Sequence, residues 1–188
     1  MPKRYHFSRN RPSMTAMMTN ADKHADILAD IRGIYPMLYA FFDDHGGLDR
    51  AAMRRQVDAC IDAGCHGLAV GGLATETIKM STEERRTLVE WVAEQNVGRV
   101  PLSVTIAENN VDSQTAAVRH AAETGVAWVV LQPPPVRGAS EDELIRFYGA
   151  VADASPVPVG IQNAPEYIGI GLSNAGFATL NRNHPNVS

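Results

Sequence analysis

Five times between Ile34 and Leu180 a short apolar run is followed by turn residues and then by a capped amphipathic stretch, a period of about thirty residues. This alternation constrains the chain more than any other feature, because strands joined through helices pair in parallel and need both faces of the sheet covered. The expected strands are 34–40, 67–70, 102–106, 127–131 and 157–161. Asp49 is placed to cap a first helix whose Met53, Val57, Cys60 and Ile61 fall on one stripe, with Gly64 ending it. Ser81-Thr82-Glu83-Glu84 and Ser140-Glu141-Asp142-Glu143 both carry the capping-box pattern. Asp112 is expected to cap the helix bearing Ala117, Val118 and Ala121, closed by Gly125. Ser173 is expected to cap a last helix through Phe177 and Leu180.

Composition narrows the function classes. With 188 residues, 45% hydrophobic and 20% charged, the chain is long enough for one domain with a real core. A formal charge of -4 leaves no basic footprint for nucleic acid or an anionic membrane, and no run reaches the ~18 apolar residues of a membrane span. Cys60 and Cys65 lack the spacing of a zinc or redox site and read as small apolar filler, so a reducing, cytoplasmic setting is the expectation. Residues 1–32 read as a polar tail with Lys3, Arg4, Arg9 and Arg11, no signal peptide, and a short helix at Ala21–Arg32. The ordered domain is expected over 33–188. Two α/β architectures fit this rhythm: an open five-stranded sheet of flavodoxin type, and a (β/α)8 TIM barrel present in part, with about five βα units. Length suits the first. The grouping of polar residues suits the second, as does the closing Asn183-His184-Pro185-Asn186-Val187-Ser188, which reads as a loop running into another strand of a truncated barrel.

In either architecture the site lies at the carboxyl ends of the strands. Gathered there are Tyr39, then Gly71-Gly72-Leu73-Ala74-Thr75-Glu76, then Glu108-Asn109-Asn110, then Gln132-Pro133-Pro134-Pro135, and last Gln162-Asn163-Ala164-Pro165-Glu166-Tyr167. Gly71-Gly72 lets the backbone pass close to a ligand and turn N–H groups toward it, a natural carboxylate cradle. Neither a dinucleotide fingerprint nor a P-loop is present, and no histidine pair has metal-ligand spacing, so no cofactor and no metal are expected. Glu108, at the tip of the third strand, is the candidate base. Glu76 either braces the glycine loop or joins the chemistry, and Lys79, the only lysine after the tail, reads as a free surface amine.

The run Val70-Gly71-Gly72-Leu73-Ala74-Thr75-Glu76, with Met80-Ser81-Thr82-Glu83-Glu84-Arg85 behind it, resembles the G-T-T-G-E…L-x-x-x-E segment of the dihydrodipicolinate synthase and N-acetylneuraminate lyase family. The resemblance runs from about Gly33 to Ser188 and includes the Asn-x-Pro at Asn163 and Pro165. It implies a (β/α)8 barrel, a homotetramer or dimer, and a lyase acting on a pyruvate-like 2-oxo acid. A Schiff-base lysine on the sixth strand supports aldol cleavage, condensation or dehydration, because the imine is an electron sink for the neighbouring carbanion. Gly72 and Glu76 keep the family glycine and glutamate. Leu73 and Ala74 replace its two threonines, and Thr75 its next glycine. Gln162 stands for the proton-relaying tyrosine, and Tyr167 for an arginine that attracts the substrate acid. The Schiff-base lysine itself falls beyond Ser188.

The rim position makes Glu108 a candidate catalytic residue and Tyr39 and Gln132 candidate substrate contacts, while the resemblance implies a catalytic role for Gln162 and substrate contacts from Gly72, Leu73, Ala74, Thr75, Glu76, Asn163 and Tyr167. The substrate carboxylate is expected on the N–H groups of Leu73, Ala74 and Thr75, aided by the Thr75 hydroxyl. The competing function class is a non-catalytic small-molecule-binding or regulatory protein on the same barrel.

Overall fold

The structure, a computed structural model, describes residues 31–134 and 138–187. The tail and nearly all of the helix expected at Ala21–Arg32 lie outside these residues. The described elements follow the strand–helix rhythm: α1 (Arg50–Asp62), β1 (Leu68–Val70), α2 (Thr82–Asn96), β2 (Leu102–Ile106), α3 (Val111–Glu123), β3 (Trp128–Leu131), α4 (Glu141–Asp153), β4 (Val159–Ile161), a one-turn α5 (Pro165–Ile168) and α6 (Asn174–Asn183). The four strands pair in parallel in sequential order β1-β2-β3-β4. Sequential order is what a barrel wall has. An open doubly wound sheet reverses at a switch point, and these strands do not. The fold is therefore an α/β TIM barrel present in part.

The first expected strand, 34–40, is reduced to one parallel bridge, Met37 to Ala69. Its neighbours still run along β1: Leu38 N–H donates to the Ala69 carbonyl at 2.8 Å, and Ala69 N–H to the Pro36 carbonyl at 3.1 Å. Pro36 has no N–H to donate, which helps to keep the ladder short. The strand expected at 157–161 starts at Val159, past the N–H-less Pro158. On its far side Val159 bridges Val187, again in parallel.

Local signals account for most helix starts. Asp49 caps α1, Ser81 and Ser140 head capping boxes with Glu84 and Glu143, and Ser173 caps α6. Asp112 does not cap α3. Asn110 does, accepting from Ser113 N–H at 2.9 Å while the Ser113 hydroxyl takes the reciprocal place. At the end of α1, Gly64 has φ +84° and Cys65 N–H reaches back to the Cys60 carbonyl at 3.2 Å. This left-handed termination turns the chain into β1.

The core lies between the sheet and its helices. Leu68, Val70, Val104, Val129, Leu131 and Val159 meet Val57, Leu88, Val92, Val118, Leu144, Val151 and Leu180, all buried. Each fully buried leucine contributes about 2 kcal/mol by removing apolar surface from water. Tyr148 is buried in the same layer, and burial pushes its phenol far above the usual tyrosine range, so it stays neutral. The other face of the sheet carries Met37, Thr105, Trp128, Val130 and Gly160. A Cβ on Gly72 would meet Met37 and Thr105, and one on Gly160 would meet Trp128 and Val130. This is the barrel's inner wall, and the strand ends above it hold the candidate site.

Candidate active site

Gly71, directly after β1, has φ +85°, and a Cβ there would stand 2.6 Å from the Thr105 carbonyl oxygen. Glycine is required twice over, by the backbone angle and by the approach of β2. The chain then makes two single 3-10 turns, Leu73–Thr75 and Thr77–Lys79, hinged at Glu76 in the left-handed region with φ 54°. Glycine at the place of Glu76 would carry no strain, so that side chain is kept against a local backbone cost.

The loop differs from expectation in the role of Thr75. Its hydroxyl donates to the Leu38 carbonyl at 2.6 Å and accepts from Gly71 N–H at 3.0 Å, and the residue is buried. Its own N–H closes the first 3-10 turn on the Gly72 carbonyl at 3.1 Å. The Thr75 hydroxyl and N–H thus brace the loop against the 34–40 segment. The N–H groups of Leu73 and Ala74 open that turn, where no preceding carbonyl can reach them, and they find no acceptor among the described residues. Glu76 pairs at 2.8 Å with Lys79, so the lysine read as a free amine has a partner, and both side chains are mostly exposed.

Across the rim, Glu108 follows β2. Arg85, from the first turn of α2, grips it with two parallel bonds, Nε to Oε1 and Nη2 to Oε2, each 2.9 Å. The side chains are 22% and 13% exposed, so the pair is held in a poorly solvated place. Arg85 also donates to the Met80 carbonyl and the Thr82 hydroxyl. Behind this pair a cavity of about 170 Å³ lies between α2, α3 and the helix-facing side of β2, lined by Leu88, Val89, Val104, Ile106, Ala117 and His120. Most of its lining lies on the helix side of the sheet.

The structure brings Gln132 and Gln162 together: Gln132 Nε2 donates to Gln162 Oε1 at 3.1 Å. Gln162 Nε2 and Gln132 Oε1 have no other partner among the described residues. Asn163 turns away from this pair and clamps the chain ahead of α6, giving Nδ2–H to the Leu172 carbonyl at 2.9 Å and accepting Leu172 N–H at 2.8 Å. Tyr39 is half exposed, with its backbone held on both sides by Gln56 and its ring near Phe41. Tyr167 lies on α5 with its ring exposed. Sequence reasoning missed Gln114 on α3. It is fully buried, and its Nε2 donates to the Glu108 and Gln132 carbonyls, each at 2.9 Å. A glutamine on the core-facing stripe of α3, beside Val118 and Ala121, was the available signal.

Among the described residues no three His, Cys, Asp or Glu side chains are grouped to hold a metal ion, and no helix is long and apolar enough to cross a membrane. Chemically, the rim offers uncommitted backbone donors on the glycine loop, a neutral amide pair two strands away, and a carboxylate neutralised by arginine.

The model of the dihydrodipicolinate synthetase family matches residues 30–188. The L-2-keto-3-deoxyarabonate dehydratase of Azospirillum brasilense is 35% identical over 155 residues, which are 80% of this chain and 50% of that enzyme. The 4-hydroxy-tetrahydrodipicolinate synthase of Thermus thermophilus is 31% identical over 157 residues, 83% of this chain and 52% of the relative. Among solved structures, a prophage protein of the dihydrodipicolinic acid synthase family from E. coli K12, in complex with pyruvate, superposes with a TM-score of 0.78 at 28% identity. That match covers 83% of this chain and 53% of the other. The chain spans about half the length of the curated relatives it matches.

Proposed function

The chain belongs to the dihydrodipicolinate synthetase family, and from that premise we propose that it forms the carboxylate-binding side of a Schiff-base lyase acting on a 2-oxo acid. The observation that carries this reading is the loop after β1. Gly71 and Gly72 clear the approach, and the N–H groups of Leu73 and Ala74, at the carboxyl end of the strands, have no acceptor among the described residues. A carboxylate set there places its 2-oxo carbon toward the barrel axis, where a lysine of the sixth strand, which the resemblance puts beyond Ser188, attacks it. Imine formation releases one water and makes the neighbouring carbanion accessible.

Within the family we favour a dehydratase or aldolase of hydroxylated 2-oxo acids. Gln162 donates and accepts hydrogen bonds but cannot ionise, and Gln132 beside it is also neutral. Two amides suit hydroxyl groups, which likewise donate and accept. The similarity to a dehydratase of a 2-keto-3-deoxy sugar acid supports the same choice. In this reading Glu108 is held ready by Arg85, Glu76 braces the loop, Asn163 shapes the wall, and Tyr39 and Tyr167 border the mouth. The reading includes assembly with copies of the same protein, supported by the exposed Leu73, Ile78 and Tyr167 side chains near the rim.

The test is borohydride reduction with pyruvate, followed by mass spectrometry, on the protein that carries this segment together with the strands completing the barrel. A trapped pyruvyl adduct is expected there, and none on the 188-residue chain, whose Lys79 is paired with Glu76 at the surface and whose other lysines, Lys3 and Lys23, precede the first strand segment. In the complete protein Gly72→Val, whose side chain would run into Met37, should weaken 2-oxo acid binding far more than Lys79→Met. Equal, small losses in calorimetry would reduce the loop to a turn.

A further inference from the structure

The ladder between β2 and β3 stops at Ile106 and Leu131, and the last backbone bond across it runs from Gln132 N–H to the Ile106 carbonyl at 2.9 Å. The next peptide joins Gln132 to Pro133 and has no N–H, so the Gln132 carbonyl is its only polar handle. Gln114 takes hold of that carbonyl. One Nε2 hydrogen goes to it and the other to the Glu108 carbonyl, both at 2.9 Å. Neither carbonyl has a second donor among the described residues. In effect a side chain of α3 adds one more rung to the sheet where the backbone can no longer supply it.

The cost of the arrangement shows what it is for. Gln114 is 0% exposed, and its Oε1 is buried with no partner among the described residues. A buried, unmatched amide oxygen is expensive, and an aliphatic residue would fill the same volume without that penalty. The two N–H bonds are what the amide contributes. They fix the peptides that carry Glu108 and Gln132, and Gln132 in turn holds Gln162 through its 3.1 Å bond.

We propose that Gln114 is a positioning residue: its buried amide sets the strand-end geometry of Glu108 and Gln132, and through Gln132 it aims the Gln162 amide at the part of the substrate beyond the 2-oxo group. What the rim binds rests on the reading of the preceding subsection; the positioning of Gln132 and Gln162 does not.

Gln114→Met keeps the length of the side chain and removes both donors. Gln114→Asn keeps an amide too short to reach and serves if the methionine variant does not fold. Two readouts on the complete protein separate the claims. In crystal structures of the variants, the Gln132–Gln162 contact is expected to open beyond hydrogen-bonding range; a contact kept at its present length overturns the proposal whatever the rim binds. In kinetics, kcat/KM for a hydroxylated 2-oxo acid should fall about tenfold, mainly through KM, while the yield of trapped pyruvate imine stays within about twofold, because pyruvate has no group that reaches the amide pair. Equal losses on both substrates would make Gln114 merely structural and overturn it. If the unsubstituted protein traps no pyruvate, the lyase reading fails and the crystal structures still decide the role of Gln114.

Discussion

Gly64 and Gly71 share a left-handed backbone, with φ +84° and +85°, yet a methyl group would meet nothing at the first and the Thr105 carbonyl at 2.6 Å at the second. Gly64→Ala should therefore cost about 1 kcal/mol, the backbone penalty alone. Gly71→Ala should cost ~3 kcal/mol or more, because β1 or β2 must also move. Urea unfolding midpoints of the two variants check the difference. The Arg85–Glu108 pair makes a second contrast. Arg85→Met leaves a poorly solvated carboxylate without its partner and should cost ~2–3 kcal/mol, whereas Arg85→Met with Glu108→Gln should recover most of that loss. A double variant as unstable as the single one would mean that the pair is not coupled. At this scale the sequence told residue type but not commitment. The Thr75 hydroxyl was readable as a ligand donor and is spent on Leu38 and Gly71. Lys79 was readable as free and is paired. Both outcomes depend on where a turn places a side chain, which spacing alone does not specify.

Helix starts were legible because the partners are three residues apart. Ser81 with Glu84 and Ser140 with Glu143 form closed local rings that need no tertiary contact. Asn110 outcompeted Asp112 for the same reason, since its side chain meets the Ser113 N–H and hydroxyl from outside the helix. Gln114 stood out only as a polar residue on an apolar stripe, and its role was not legible. Its partners are the carbonyls of Glu108 and Gln132, and the second lies on another strand that only the folded sheet brings near. The caps make a prediction for the elements. Hydrogen bonds from Ser81 and Ser140 hold the Glu84 and Glu143 carboxyls below the usual glutamate range, and Ser173 N–H does the same for Glu141. A carboxyl with a depressed folded pKa contributes stability that is present above its unfolded pKa, about 4.3, and is lost as pH falls through the folded value. Helix content should thus hold down to about pH 4 and fall below it. Ser81→Ala and Ser140→Ala should each cost about 1 kcal/mol at neutral pH and flatten the acid limb. Circular dichroism against pH reads both effects.

At the level of the whole molecule, the alternation of strand and helix identified a parallel α/β fold, and the sequential strand order decided between the two candidate architectures. Among the described residues the inner wall is open to one side, with Trp128 and Val130 half buried and Tyr39, Phe41, Phe42 and Leu73 exposed along the rim. Among the described residues each edge of the sheet carries a single bridge, Met37 to Ala69 and Val159 to Val187. Such edges and apolar faces invite other chains. The 188-residue chain on its own should bind an apolar fluorescent dye at neutral pH and sediment faster than a monomer. A dye-silent monomer would contradict this.

The sequential strand order has a consequence for how the molecule comes into being. Each of the four described strands after the first pairs with the strand before it, so among them no pairing waits for a distant part of the chain. Loop closure is then the same modest step repeated, one helix long each time. As the polypeptide leaves the ribosome, β2 can dock on β1 once α2 is out, and β3 on β2 once α3 is out. The wall can grow in the direction of synthesis, each new strand finding its partner already in place.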